Sequence, residues 1–166
     1  LVTEVIRELN LSCAKTRQAV LDVSLDAYQV EAELLGVSQF PPLQETLEDI
    51  AKNSNSFWGY QRGEELSGVI ELNLDQSGVE ICRLVVRRSA FRLGIGSSLV
   101  NAAIDLGQPL SVMTAQANLP AIQLYERHGF QVVAIHENRV PGLPLVALSH
   151  PGKTENRGDH KDSVLL

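Results

Sequence analysis

Apolar and polar positions change rhythm twice along this chain, and each change predicts a different element. Over residues 2–14, Val5 and Leu9 stand among alternating polar residues, which predicts a first strand. Over residues 15–35, Val20, Val23, Leu25 and Ala27 recur at helical spacing and Gly36 supplies the stop. Pro41 and Pro42 then open a second helical stretch, with Leu43, Leu47 and Ile50 on one face. From Phe57 the period shortens. Residues 57–60, 66–74 and 79–86 read as three strands joined by Arg62-Gly63-Glu64-Glu65 and Asp75-Gln76-Ser77-Gly78, an antiparallel meander. Then the rhythm lengthens again. A helix over 93–106 carries Ile95, Leu99, Ala102 and Ala103, and Gly107-Gln108-Pro109 ends it. A strand over 110–115, a helix over 118–128 ending at Gly129, and a strand pair over 130–135 and 143–148 follow. The reading is α/β, a mixed sheet with helices on both faces. It makes one domain over residues 1–152, with a polar tail over 153–166.

Composition narrows the functional classes. A chain of 166 residues buries enough surface to fold without disulfides or metal. With 44% hydrophobic and 20% charged residues it is neither disordered nor a coiled coil. The formal charge of −6 argues against a nucleic-acid binder, and any anionic ligand then needs a local basic patch. Two cysteines, Cys13 and Cys82, form no CxxC pair, and the four histidines lack zinc-ligand spacing, so no metal is expected. Cys82 sits in an apolar run and reads as a core residue. Neither a leader nor a spanning helix is expected, because residues 1–7 lack a long apolar core and the uncharged stretch 106–125 holds two prolines. These features suit a reducing compartment, the cytoplasm.

The join of strand to helix is the richest segment. Leu84-Val85-Val86-Arg87-Arg88 leads through Arg92-Leu93 into Gly94-Ile95-Gly96-Ser97. Glycines in a first helical turn let an anion approach unpaired N–H groups at the positive helix end. Arg87, Arg88 and Arg92 supply positive charge, so the segment reads as a diphosphate cradle. A lone GxG triplet occurs by chance about once in a chain this long, and tight helix–strand packing explains it equally well. No GK[ST] follows, and the third glycine of a dinucleotide fold is missing.

A second segment, Asn118-Leu119-Pro120-Ala121-Ile122-Gln123-Leu124-Tyr125-Glu126-Arg127-His128-Gly129-Phe130, is a whole helix with its N-cap and C-cap glycine. With this pair in this order, the chain resembles the GCN5-related N-acetyltransferases, which use acyl-CoA donors. The match spans about 79–130. The resemblance implies a mostly antiparallel sheet with one splayed parallel pair, strands 79–86 and 110–115, and a cofactor slot between them. It implies acetyl-CoA as cofactor, with the backbones of Leu84, Val85 and Val86 against the pantetheine arm. Arg92, Leu93, Gly94, Ile95, Gly96 and Ser97 would hold the diphosphate, and Asn118 the pantetheine side. Tyr125 would protonate the leaving thiolate, and a strand amide near Val85 or Val86 would hold the oxyanion. Glu80 precedes Gly94 by fourteen residues, the spacing at which the resemblance to the histone-modifying branch implies a catalytic carboxylate. Strand alternation would put Glu80, Cys82, Leu84 and Val86 on one face. Two positions depart from the family pattern: Phe91 stands where Gln or Arg is usual, and Arg88 where proline is common.

The function implied is acetyl transfer to a primary amine of a small molecule or peptide, with no nucleic acid or membrane partner and a homodimer left open. The amine would meet the helices between Lys15 and Asn55 and the loop over 140–145, and Asp26, Glu31 and Glu33 suit a cationic acceptor. Two other classes compete. A non-catalytic CoA-binding module would bind the cofactor and release no thiol, and an unrelated phosphate-binding α/β protein would take nucleotides as well. Tyr125 and Glu80 equally suit a half-buried aromatic and a solvated strand carboxylate.

Overall fold

The computed structural model describes residues 2–153, so the tail over 154–166 lies outside the described residues. The chain runs β1 (Glu4–Glu8), α1 (Ala14–Leu35), α2 (Leu47–Lys52), β2 (Ser56–Arg62), β3 (Glu65–Asp75), β4 (Gly78–Val86), α3 (Ile95–Ile104), β5 (Leu110–Ala115), α4 (Leu119–Arg127), β6 (Gln131–His136) and β7 (Leu145–His150). The seven strands among the described residues form one sheet in the order β1-β2-β3-β4-β5-β7-β6. Every pair is antiparallel except β4 with β5. Helices α3 and α4 pack on one face over Ile70, Leu72, Ile81 and Leu148, while α1 and α2 cover Phe57, Val69 and Val85 on the other. The α/β reading with helices on both faces therefore stands.

Local chemistry moves three boundaries. The first strand is shorter than predicted, because Asn10 Oδ1 accepts the Ser12 N–H (3.0 Å) and turns the chain directly into α1. The second helical stretch is two pieces. Pro41–Gln44 make a 3₁₀ turn, and α2 restarts behind a capping box in which Thr46 Oγ1 accepts the Asp49 N–H and Asp49 Oδ2 accepts the Thr46 N–H. The third helix starts at Ile95 rather than Leu93, behind a left-handed Gly94 (φ 75°).

A bulge in β4 has the largest effect on function. Glu71 pairs with Arg83 and Leu72 with Ile81, which leaves Cys82 as the extra residue. Cys82 is consequently exposed, not the core residue its apolar run suggests, and its thiol is pushed up to about 11 by partial desolvation and the neighbouring Glu80. The extra residue also breaks strict alternation. Val79 and Ile81 belong to the α3/α4 core with Leu84 and Val86, whereas Arg83 and Val85 face α1. Glu80, paired to Asn73 on the opposite side from Leu72 and Ile81, thus shares no face with Leu84 and Val86.

The α1 face holds a buried ionic cluster. Arg83 (7% exposed) donates from Nε to Glu71 (2.9 Å), from Nη1 and Nη2 to Glu45 (2.6 Å each), and from Nη1 to Ser24 Oγ (2.8 Å). Asn53 and Asn55 donate to the other Glu71 oxygen (2.7 and 2.9 Å). The cluster ties α1 and the segment leading into α2 to the sheet.

Candidate active site

Strands β4 and β5 are bonded over three pairs only, Val79 with Leu110, Glu80 with Ser111 and Ile81 with Val112. Past that point β5 stays with β7 as far as Ala115–Leu145, while β4 stays with β3 as far as Val86–Gly68. The two strands therefore diverge into a slot. The bulge decides which backbone groups face it. Val79 N–H donates to Pro109 (2.8 Å), so odd residues before the bulge turn towards β5. Arg87 N–H donates to Ser67 (2.8 Å), so odd residues after it turn towards β3. By alternation the N–H and C=O groups of Leu84 and Val86 open into the slot. Val85 spends its backbone on β3 and its buried side chain on the α1 core.

The entrance to α3 continues this open edge. Arg92 is the one non-glycine residue of positive φ (65°) among the described residues, and Gly94 (75°) follows two residues later. Such alternating backbone makes successive N–H groups converge. The six amides of residues 92–97 donate to no backbone acceptor among the described residues; Ser98 is the first that does, to Gly94 (3.0 Å). Residues 92–94 are exposed, Ile95 is buried, and Gly96 and Ser97 are half-buried. The two glycines serve different ends. A Cβ on Gly94 would meet open space but strained backbone, whereas one on Gly96 would come within 3.3 Å of Leu124 Cδ2. Of the three arginines, Arg87 is held by Leu66 O (2.9 Å) and Arg88 by Glu33 (3.3 Å), so Arg92 is the one left free among the described residues.

Helix α4 forms the other wall. Asn118 caps it, its Oδ1 accepting the Ala121 N–H (3.3 Å). Tyr125 is 3% exposed, packed edge-on against Phe130 at 5.3 Å. Its phenol has no hydrogen-bond partner among the described residues, yet none of their buried polar side-chain atoms is unsatisfied, which leaves the hydroxyl at the accessible end of a buried ring. Burial, with the charge of Glu31 second, holds the phenol well above its ordinary value and so keeps it protonated.

Glu31 is the residue whose place sequence reasoning missed. It lies on α1, and its Oε1 accepts from Asn118 Nδ2 (3.4 Å), joining the two helices across the slot. Burial raises its carboxyl, with the Asn118 bond opposing. The available signal was its position: Val20, Ser24, Ala27 and Glu31 make one stripe of α1, of which Val20 and Ser24 are wholly buried. Asp26 and Glu33, named with it, serve Arg88 instead, accepting its backbone N–H (2.7 Å) and its guanidinium. Glu80 is exposed and stands in the bonded part of the β4–β5 pair, beside a shallow hollow lined by Asp75, Ser77 and Pro109.

The family model described as the acetyltransferase (GNAT) family matches residues 19–130. The chain belongs to the GNAT acetyltransferase family. The GNAT chain is 38% identical over 121 residues to the UPF0157 protein YqkA of Bacillus subtilis (strain 168), covering 71% of this chain and 35% of that protein. It thus spans about a third of the length of that curated relative. Among solved structures it is similar to the ribosomal-protein-S18-alanine N-acetyltransferase from Escherichia coli, with a TM-score of 0.74 at 17% identity over 94% of this chain and 98% of that one. The PaiA N-acetyltransferase from Thermoplasma acidophilum, in complex with coenzyme A, gives 0.70 at 16% identity over 87% and 98%. At such identities the likeness establishes the fold of this GNAT chain. No helix among the described residues is long and apolar enough to cross a membrane.

Proposed function

We propose that this chain transfers an acetyl group from acetyl-CoA to a primary amine of a small molecule or peptide. The observation that carries the reading is the continuous open edge from Leu84 and Val86 to the six unbonded amides of residues 92–97. These groups fit the cofactor along its length. The amides and the free Arg92 suit a diphosphate, and the Leu84 and Val86 backbone suits the amides of a pantetheine arm as an added strand. Asn118 suits the arm's opposite side.

When bound, acetyl-CoA supplies the activated acyl thioester. The N–H of Leu84 or Val86 then donates to the thioester carbonyl oxygen as negative charge gathers there. This assignment moves the donor from Val85, whose N–H is engaged with β3. Tyr125 donates its phenolic proton to the departing sulfur, for which its protonated state and accessible hydroxyl suit it. The amine attacks as the neutral base, so a base or a water chain must take its proton. Glu80 is the candidate on β4, but it stands about 13 Å along the strand from Leu84 at 3.3 Å per residue.

The test is thiol release from acetyl-CoA with spermidine, phenethylamine and a free-N-terminus alanyl peptide, beside calorimetric titration of acetyl-CoA and of ATP. Turnover with at least one amine supports the reading. Binding of acetyl-CoA without thiol release would make the chain a non-catalytic CoA module, and equal binding of ATP would return it to a general phosphate binder.

A further inference from the structure

We infer that Glu31 is the group that takes the proton from the attacking amine, working across the mouth of the slot from the Tyr125 hydroxyl. The inference rests on the acyltransferase reading above and names a catalytic residue for it.

Helices α1 and α4 lie on opposite faces of the sheet, so they meet only where the sheet is open, and that opening is the divergence of β4 from β5. The contact between them is Glu31 Oε1 with Asn118 Nδ2, at the cap of the helix that carries Tyr125. A carboxylate there faces an amine arriving from the α1 side. Glu80, by contrast, stands where β4 and β5 are still bonded.

The charges around Glu31 leave its carboxylate available. On α1 itself Asp26 and Glu33 are engaged with Arg88, and Arg87 of the same segment is held by Leu66 O. On β4 and β3, Arg83 is engaged with Glu45 and Glu71, and Tyr28 of α1 lies over that cluster. On the α4 side the neutral Asn118 and Tyr125 face it. No guanidinium among the described residues therefore neutralises Glu31, and its raised carboxyl is a better base than an exposed one. The proton count closes. The amine nitrogen bonds the acyl carbon and loses one proton to Glu31, the carbon–sulfur bond breaks, and the sulfur gains one proton from Tyr125. Glu31 returns its proton to the phenolate, directly or through water, which restores both groups.

Glu31→Gln keeps an amide oxygen for Asn118 and removes only the base. With the best amine of the panel, wild-type kcat/KM should fall below the midpoint of Glu31, whereas the variant should lose that acidic limb. Its kcat should drop about 10²-fold and recover as pH approaches the pKa of the amine. Acetyl-CoA affinity by calorimetry should stay within about twofold. A readout without turnover comes from carbon-13 NMR of carboxyl-labelled glutamate, with CoA in place of acetyl-CoA. One glutamate should titrate above the ordinary range, be missing in Glu31→Gln, and shift downwards when the amine is added, because an ammonium beside a carboxylate favours its charged form. An unchanged limb in Glu31→Gln, loss of the limb in Glu80→Gln instead, or a midpoint that ignores the amine would each overturn the inference while leaving acetyl transfer intact. A wild-type chain that neither binds acetyl-CoA nor releases thiol would overturn the acyltransferase reading and this inference together.

Discussion

Replacing Arg83 by methionine removes the one cation from a cluster that holds two carboxylates. Breaking a buried ion pair from one side costs about 3–5 kcal/mol, because the partner is left charged and unpaired. The geometry here argues for the lower end. Glu71 keeps two amide donors, Asn53 at 2.7 Å and Asn55 at 2.9 Å, and the Glu45 side chain, 18% exposed, can swing into water. A loss of about 3 kcal/mol lowers Tm by about 6–12 °C in a domain of this size. Urea denaturation followed by circular dichroism measures the free energy, and a thermal melt measures Tm. Neutralising the carboxylates in Arg83→Met/Glu45→Gln/Glu71→Gln should restore a large part of the loss, since uncompensated charge is its source. The amides of residues 92–97 lie outside the cluster, so acetyl-CoA affinity should persist in the single variant. The segment that Glu45 anchors would loosen, and KM for the amine should rise. A loss below about 1 kcal/mol with an unchanged denaturant slope would refute the argument, because the cluster would then be no more than a solvated surface network.

Three further outcomes follow from the slot. Gly94→Val, strained at φ 75°, and Gly96→Val, whose Cβ presses on Leu124, should each lose about 1–3 kcal/mol of stability with the chain still folded, and both should abolish the stabilisation by acetyl-CoA, about 2.7 kcal/mol at a hundredfold excess over Kd. Thermal-shift titration separates the loss of stability from the loss of binding, and a retained acetyl-CoA shift in both variants would refute the diphosphate cradle. Tyr125→Phe should retain acetyl-CoA affinity and lose about 10²-fold or more in kcat, and wild-type turnover in that variant would return the ring to its packing role against Phe130. Glu80→Gln, at an exposed position, should leave Tm and acetyl-CoA affinity unchanged, and its pH–rate profile decides between the two carboxylates.

The parts of the site that local backbone chemistry specifies were legible in the chain. Gly36 ends α1, Asn118 caps α4, and Gly94 opens α3, each because one residue type tolerates the conformation or satisfies the free N–H. What stayed hidden depends on residues far apart. Arg83 reads as a surface arginine until Glu71 and Glu45, 12 and 38 positions away, meet it under α1. The Thr46 capping box was there to be read, but the preceding prolines suggested a helix start of their own. The bulge is the deeper case. Counting alternate residues along β4 assumes that none is extra, so one unpaired Cys82 inverts every assignment made across it. That inversion is also what makes the slot. Before Cys82 the backbone of Val79 and Ile81 is spent on β5; after it, the groups that turn outwards belong to Leu84 and Val86, where β5 has already left. A strand without the extra residue would direct Val85 outwards in their place, with its side chain turned from the α1 core to the α3 face. The side-chain pattern that supports the fold and the backbone pattern that opens the site are therefore set by the same residue, one that neither periodicity nor composition singles out.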